Sequence, residues 1–276
     1  MGMIKKNIGS ILQHIVIIVA TIIFIFPIYW MVATSFKKQT DAFTIIPQWS
    51  FTATLDNYRA ILFDSGFLQL LFNSLIVGVV STVIVLILGI TIAYPFARYK
   101  LSGGKQIITW VITLRIIPPI VTILPLYLLF ANLGLVDTFL AFILMHVFFN
   151  LPLATLLLYG FFKDIPGELE ESALVDGCNR FTAFFRVIFP IIRPGLVSAG
   201  LLSFIFSWNE FLFANILSGP NVKTAPVGLN EFSTPVGILW GQIAAAGVLI
   251  VIPVAIIAII VQRHMIRGLT MGAVKG

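Results

Sequence analysis

The chain has 276 residues, of which 59% are hydrophobic and only 10% are charged, and its mean hydropathy is +1.06. A soluble domain carries roughly 25% charged residues, so this composition excludes an ordinary water-soluble protein and indicates a chain that lies in a lipid bilayer. The net charge of +6 does not indicate nucleic-acid binding, because the 17 Lys and Arg residues are spread among apolar runs. A single cysteine, Cys178, excludes an internal disulfide and a cysteine-rich metal site.

Six apolar stretches recur along the chain, each long enough for a helix of about 20 residues that crosses the hydrocarbon core. In chain order they cover residues 15–33, 70–96, 107–130, 139–162, 195–217 and 241–261. They lack the alternation of membrane β-barrel strands, so the sequence predicts an all-α membrane protein with six transmembrane helices. The intervals are too short for a second folded domain, and residues 1–276 are expected to form one transmembrane domain.

The distribution of basic residues predicts the orientation, because Lys and Arg are retained on the cytoplasmic side of a membrane. With the N-terminus inside, twelve of the 17 basic residues fall in cytoplasmic segments. Those on the other side are Lys37, Lys38, Arg59 and Lys223. Both termini are therefore expected in the cytoplasm. A cleavable signal peptide is the alternative for the first stretch, although that stretch exceeds the usual length of a signal-peptide apolar region.

Two charged residues fall inside predicted spans, Arg115 in the third and Glu210 in the fifth. Each costs about 2.5–3.5 kcal/mol at the centre of a membrane helix, so each is expected to have a partner. The two residues would form a structural ion pair with each other or, with Asn209, line a polar substrate path. Pro118 and Pro119 interrupt the third span and predict a kink there.

The sequence contains no set of residues that indicates catalysis. The Gly-Gly-Lys sequence at 103–105 lacks the first glycine and the hydroxyl residue of a phosphate-binding loop, so the chain alone is not expected to hydrolyse ATP. His14, His146 and His264 share no metal-ligand spacing. We therefore expect no catalytic residue, no metal and no cofactor in this chain.

The interval at 163–194 is too polar to span the membrane, yet it carries apolar residues at helical spacing and predicts two short helices. Gly177 is expected to end the first helix and Asn179 to cap the second. Pro190 is expected to close the second helix, which carries an apolar stripe. The stripe consists of Phe181, Phe184, Phe185 and Ile188. Such a stripe suits either a protein groove or the membrane surface, and the pattern alone does not separate these alternatives.

This interval resembles the EAA loop of the integral membrane subunits of bacterial ABC importers. The resemblance is carried by Glu171-Ser172-Ala173, by Gly177 and by Pro190, and the sequence departs from the family at Ser172, where alanine is usual. The sequence Trp-Asn-Glu-Phe at 208–211 and the C-terminal sequence at 268–276 are similar to those of maltose-type permeases. Together with the six spans, the resemblance covers essentially the whole chain.

The resemblance implies that the loop forms a coupling helix held in a cleft of a cytoplasmic ATPase. The coupling residues would be Glu170, Glu171, Ser172, Ala173, Asp176, Gly177 and Pro190. It also implies an outer loop, with Gly219, Pro220 and Asn221, that reaches toward an extracytoplasmic sugar-binding protein. The expected partners are a second, homologous permease subunit, two ATPase subunits that hold ATP and magnesium, a sugar, and the lipid of a bacterial inner membrane.

A permease subunit of an ATP-driven sugar importer is therefore the expected function. The alternative is a self-sufficient ion-coupled secondary transporter, which would be expected to carry a titratable pair along its path and inverted internal repeats. Only Glu210 is a candidate for such a pair. A membrane enzyme is less favoured still, because clustered polar catalytic groups are missing from the sequence.

Overall fold

The computed structural model describes residues 2–44, 46–99, 101, 103–114, 116–235 and 237–270. Side chains are described within these ranges except at residues 2–12, 105, 108, 112 and 261–270. The described chain is mostly helical, and five of its helical segments are long and apolar enough to cross a membrane. A further apolar helix over Pro119–Asn132 is shorter than these five.

The elements follow one another in chain order, and the helices carry most of the described residues. The helices are α1 (Gly2–Ser35), α2 (Gln39–Ala42), α3 (Asp56–Arg59), α4 (Phe67–Arg98), α5 (Gly104–Leu114), α6 (Pro119–Asn132), α7 (Phe139–Asp164), α8 (Glu168–Val175), α9 (Arg180–Ala183), α10 (Phe189–Trp208), α11 (Leu212–Leu217), α12 (Ala225–Gly228) and α13 (Trp240–Thr270). Two π-helical turns cover Ala60–Asp64 and Phe184–Ile188, and a 3-10 turn covers Leu229–Phe232.

One pair of short strands departs from the all-α prediction. Strands β1 (Ser233–Thr234) and β2 (Gly237–Ile238) pair in antiparallel register, with Ser233 opposite Ile238 and Thr234 opposite Gly237. The Thr234 hydroxyl also donates a hydrogen bond of 2.8 Å to the Gly237 carbonyl. The pairing is too short to form a layer of its own.

The described residues fall into two compact units, one formed by residues up to 68 together with 228–252, and the other by residues 69–227 together with those from 253 onward. In the first unit, the buried Asn57 amide donates to the carbonyls of Ser35 and Lys37 and so fixes the chain just after α1. The Lys37 ammonium donates to the Gln48 carbonyl at 2.8 Å and lies 4.1 Å from the centre of the Trp30 ring.

In the second unit, α10 packs along α7. Their interface contains a buried amide, because Asn150 Nδ2 donates to Ser207 Oγ at 2.9 Å and to the Ser203 carbonyl at 3.3 Å. Ser207 Oγ also lies 3.2 Å from Ser81 Oγ on α4. These contacts join three membrane-spanning helices through small polar side chains, which is how such helices commonly associate in lipid.

The third predicted span, residues 107–130, is not one continuous helix. The first part ends at Leu114 as α5, and α6 begins at Pro119. Pro118 has φ −60° and ψ 130°, in keeping with the preference of a residue before proline for extended backbone. Pro119 then occupies the first turn of α6, where no N–H is needed. The prolines therefore separate two helices instead of kinking one.

The fifth predicted span, residues 195–217, also differs from the observed helix. One apolar helical segment runs from Arg180 to Trp208, and α11 follows after a break at residues 209–211. Pro190 does not close the helix, contrary to the prediction. Proline cannot donate a hydrogen bond to the carbonyl four residues before it. The π-helical turn ends just before Pro190, where the Phe189 N–H donates to the Phe184 carbonyl. Pro190 then lies in the first turn of α10.

The contact between α7 and α10 depends on a glycine. A Cβ atom added at Gly195 would lie 2.6 Å from Cγ of Phe161, close to the base of that side chain, so the ring cannot simply swing away. Gly160 lies on the same helix as Phe161, and a Cβ atom there would meet nothing within 4 Å. The two glycines therefore form a matched pair for testing the interface.

We expect Gly195→Ala to destabilise the protein by about 1–3 kcal/mol, since the added methyl group overpacks the interface. Gly160→Ala is expected to leave stability unchanged or slightly increased, because alanine favours a helix more than glycine does. Thermal unfolding of the detergent-solubilised protein compares the two variants. Equal melting temperatures for both would show that the close approach of α10 to α7 does not matter.

Candidate functional site

The helices α8 and α9 form a compact pair between two membrane-spanning segments. Gly177 ends α8 with φ +87°, a conformation that suits glycine. Its N–H donates to the Leu174 carbonyl at 3.1 Å, and the Cys178 N–H donates to the Ala173 carbonyl at 3.0 Å. The Asn179 side chain then accepts the Thr182 N–H at 2.8 Å and caps α9. Both helix ends lie where the sequence predicted them.

Glu170 attaches this pair to the end of α4. Its carboxylate accepts a hydrogen bond of 2.6 Å from the Tyr94 hydroxyl, and Nε of Arg98 lies 3.4 Å from the other carboxylate oxygen. Arg98 also donates to the Ile165 carbonyl at 2.6 Å. Glu170 is only 7% exposed, so this charge contact lies largely away from water, where an ion pair is screened less.

Aromatic rings surround the same contact. The Tyr94 ring lies 4.8 Å from the Phe184 ring and 5.3 Å from the Phe162 ring, in edge-on arrangements. The Arg180 guanidinium at the start of α9 lies 5.1 Å from the centre of the Tyr99 ring, just after α4. Both helices of the pair therefore contact the end of α4, α8 through a carboxylate and α9 through a cation–π contact.

The predicted apolar stripe divides into two faces. Phe184 and Ile188 pack into a core that includes Tyr94 and Phe162, whereas Phe181 is 74% exposed and Phe185 is 48% exposed. Phe181 and Phe185 instead contact each other, with ring centres 4.8 Å apart. Residues Phe184–Ile188 form a π-helical turn, so the spacing there is not that of a regular α-helix.

The remaining residues of the EAA-like sequence take different positions. Ala173 is buried, while Glu171, Ser172, Asp176 and Gly177 are exposed. The Ser172 hydroxyl donates to the Glu168 carbonyl at 2.7 Å, so the serine that replaces the usual alanine is accommodated within α8. The two neighbouring glutamates are thus distinct, since Glu170 makes internal contacts and Glu171 faces outward.

Glu210 is engaged by the backbone. Its carboxylate accepts hydrogen bonds from the N–H groups of Phe213 and Ala214 at 2.8 and 2.9 Å. It thereby supplies acceptors for N–H groups in the first turn of α11, which have no partner within the helix. Asn209 is exposed, and its amide donates to the Ile205 carbonyl at 3.0 Å. Arg115 lies outside the described residues, so its proposed pairing with Glu210 stays a prediction.

The loop after α11 is held by a residue that the sequence did not single out. The Asp137 carboxylate accepts the backbone N–H groups of Gly219, Asn221 and Val222. Pro220 and Asn221 are exposed, while Val222 is buried. Three of the predicted loop residues, Gly219, Pro220 and Asn221, therefore lie together at a fixed turn.

Sequence reasoning missed Tyr94, Arg98 and Asp137 as site residues. Arg98 counted only toward the orientation of the helices. Asp137 directly precedes Thr138, whose hydroxyl accepts the Ala141 N–H and caps α7. An Asp-Thr pair before an apolar run was the available local signal, but it indicates only a helix start and not the loop that the carboxylate binds.

The long apolar helices, joined in part by the helix pair of α8 and α9, define a multi-pass membrane protein. Residues 85–271 match the family described as binding-protein-dependent transport system inner membrane component. The chain belongs to this family. It is accordingly a non-catalytic permease subunit of an ABC transporter, whose ATPase lies in partner subunits.

Named relatives agree with this assignment, and a solved structure shares the fold. The chain is 38% identical over 259 residues to a trehalose transport system permease protein of Mycobacterium tuberculosis, covering 91% of this chain and 92% of the relative. It is 34% identical over 270 residues to a diacetylchitobiose uptake system permease protein of Streptomyces coelicolor, covering 97% and 98%. A crystal structure of a bacterial ABC transporter involved in alginate import has the same fold, with a TM-score of 0.79 at 20% identity over 95% of this chain and 98% of that one.

We expect Glu170→Gln to lower the stability of the protein by about 3 kcal/mol, because Arg98 would keep its charge in a largely buried position without a carboxylate. Glu171→Gln is the matched control, since Glu171 is exposed. Thermal unfolding of the purified transporter, followed by intrinsic fluorescence, compares the two. If Glu170→Gln and Glu171→Gln have the same melting temperature as the unsubstituted protein, the contact with Arg98 does not hold the helix pair.

Proposed function

We propose that the chain is one of two non-identical permease subunits of an ATP-driven sugar importer in a bacterial inner membrane. Sugar would cross by alternating access at the interface of the two permeases, after delivery by an extracytoplasmic binding protein. ATP and magnesium would be held by two cytoplasmic ATPase subunits. The proposal that the cargo is a sugar is supported by near full-length similarity to permeases named for trehalose, trehalose/maltose and diacetylchitobiose transport.

The proposed topology has six membrane crossings and both termini in the cytoplasm. The helices α5 and α6 together would make the third crossing, with the proline-containing break between them inside protein or beside a cavity. The basic residues support this orientation. The residues at or near the helix pair of α8 and α9 include five basic ones, which supports a cytoplasmic position for that pair: Arg98, Lys163, Arg180, Arg186 and Arg193.

The helix pair is the proposed coupling element. Several apolar side chains in and beside the pair are exposed, namely Leu169, Val175, Phe181 and Phe185, and Val175 is 87% exposed. The pair belongs to a non-catalytic subunit that depends on an ATPase, so a partner protein is available to cover this surface. Exposed apolar surface of this kind commonly marks a contact with another protein. The proposed occupant is the cleft of the ATPase subunit, with Glu171 and Asp176 at the rim.

The Glu170 contact is the observation that carries the coupling mechanism. Because the Glu170 carboxylate is bound by Tyr94 and Arg98, a displacement of α8 must move the end of α4 or break the contact. The chain also leads from α9 through the π-helical turn directly into α10. A movement of the ATPase would therefore reach two membrane-spanning segments at once, one through side chains and one through the backbone.

Two buried amides in the membrane-spanning helices already donate to partners within the chain. Asn150 donates to Ser203 and Ser207, and the Asn73 amide donates to the Lys223 carbonyl at 2.9 Å. These donors are used inside the chain, so they are not free for sugar hydroxyls. Neither Asn150 nor Asn73 is therefore proposed as a sugar ligand.

Gly177→Val tests the coupling role. Valine at φ +87° is strained and would disturb the turn between α8 and α9, so we expect ATP hydrolysis to continue while sugar uptake is lost. Gly167→Val is the matched control, because Gly167 has φ −65° and a Cβ atom there would meet nothing within 4 Å. Hydrolysis and uptake are measured together in proteoliposomes that contain the whole transporter. Normal uptake by a Gly177→Val transporter present at normal levels would contradict the coupling role.

Copurification tests the assembly. An affinity tag on this chain is expected to bring down a second permease and an ATPase, identified by mass spectrometry. Liposomes that contain only this chain are expected to take up no sugar, because the chain has no energy source of its own. Uptake by the chain alone, driven by an ion gradient, would refute the proposal in favour of a secondary transporter.

A further inference from the structure

Asp137 joins two loops that are far apart in the sequence. Its carboxylate accepts hydrogen bonds from Gly219 N at 3.0 Å, Val222 N at 2.7 Å, Asn221 N at 3.0 Å and Asn221 Nδ2 at 2.8 Å. A carboxylate has about four acceptor positions, so the four donors use its full capacity. The Asp137 N–H in turn donates to the Leu217 carbonyl at 3.1 Å, at the end of α11.

The backbone of Asp137 is shaped for this contact. Among the described residues other than glycine, Asp137 alone has a positive φ, at 63°. Asp and Asn tolerate this region better than most residues do. Burial alone would raise the pKa of the Asp137 carboxyl, but the hydrogen bonds from residues 219–222 outweigh it and hold the pKa below its ordinary value. The carboxylate is therefore charged, and its hydrogen bonds are of the stronger, charge-assisted kind.

The neighbouring residues are fixed by other contacts. Val222 lies in a hydrophobic core, the Lys223 carbonyl accepts the Asn73 amide, and the Ala225 N–H donates to Ser74 Oγ at 2.8 Å. Residues 218–224 belong to no helix or strand, so side chains rather than secondary structure determine their conformation. Within residues 218–224 only Pro220 and Asn221 are exposed, and they directly follow Gly219, whose N–H donates to Asp137.

Gly219 completes the arrangement. A Cβ atom at this position would overlap the Asp137 carboxylate, so only glycine allows the backbone to approach so closely. The carboxylate and the glycine therefore depend on each other. Substitution of either residue disturbs the same turn from opposite sides.

We propose that Asp137 is a positioning residue for delivery of the sugar, which holds the tip formed by Pro220 and Asn221 in the one conformation that the extracytoplasmic binding protein meets. This inference rests on the proposed function, because it takes the loop to lie outside the membrane and to contact that protein. It adds to that function a residue from a different loop, between α6 and α7. Because such a contact orders the tip before binding, less conformational entropy is lost when the binding protein docks.

Asp137→Asn isolates the carboxylate, because asparagine has nearly the same size and tolerates the same positive φ. One oxygen would remain to accept the backbone N–H groups, while the new NH₂ group would face the two donors of Asn221. If the tip then spends about a tenth of its time in the competent conformation, the apparent affinity for the binding protein falls about tenfold.

The experiment uses the complete transporter in proteoliposomes with its extracytoplasmic sugar-binding protein. ATP hydrolysis is measured against the concentration of sugar-loaded binding protein. We expect Asp137→Asn to raise the half-saturating concentration about tenfold and to leave the maximal rate unchanged. A loss of general stability would lower the maximal rate instead. Asp64→Asn is the control, because Asp64 is an exposed carboxylate on the same proposed side of the membrane.

Hydrogen exchange gives a second readout that does not depend on transport. Asp137→Asn should speed exchange of the amides of residues 219–222, and Asp64→Asn should not. Gly219→Ala should raise the half-saturating concentration in the same way, which keeps the inference testable if the Asp137 variant fails to assemble.

Three outcomes distinguish a failure of this inference from a failure of the proposed function. If the unsubstituted transporter responds to the binding protein and Asp137→Asn and Gly219→Ala both respond identically to it, Asp137 has no positioning role. The same conclusion follows if exchange speeds up but the half-saturating concentration stays the same. If the unsubstituted transporter does not respond to any binding protein, the proposed function itself fails.

Discussion

A polar backbone group in hydrocarbon must find a partner inside the protein, and this constraint decides where the chain can interrupt its helices. The break before α6 falls at Pro118 and Pro119, which both lack a backbone N–H, and the helix restarts there without a side-chain cap. The break after α10 is different, because the Glu210 side chain accepts the first free N–H groups of α11. Each interruption thus carries its own means of satisfying the backbone.

Three of the acidic residues act as internal acceptors. Glu210 binds the start of a helix, Asp137 binds a turn between two helices, and Glu170 binds a hydroxyl and a guanidinium at the end of α4. In a chain with only 11 acidic residues, these three add directional contacts to segments that apolar packing also holds. Hydrophobic contacts are weakly directional, whereas a carboxylate requires donors at defined distances and angles. The acids therefore give the loops their specific geometry.

The sequence predicted whatever local rules determine. Apolar length predicted the long helices, and Gly177 and Asn179 marked real helix ends because left-handed glycine and a side-chain cap act over a few residues. The partners of Glu170 were not predictable in this way, since Tyr94 lies 76 positions away and nothing local to either residue indicates the other. Pro190 failed as a stop signal for a different reason. The rule that proline lacks a donor was correct, but a π-helical turn absorbed the missing hydrogen bond.

The close approach of α10 to α7 has a consequence for how this family can diverge. Gly195 has room for hydrogen only, because the Phe161 ring occupies the space where a side chain would start. Positions 161 and 195 therefore behave as one unit under selection. A lineage that gains a methyl group or more at 195 is expected to carry a smaller residue at 161, so the two positions should covary even though they lie on different helices.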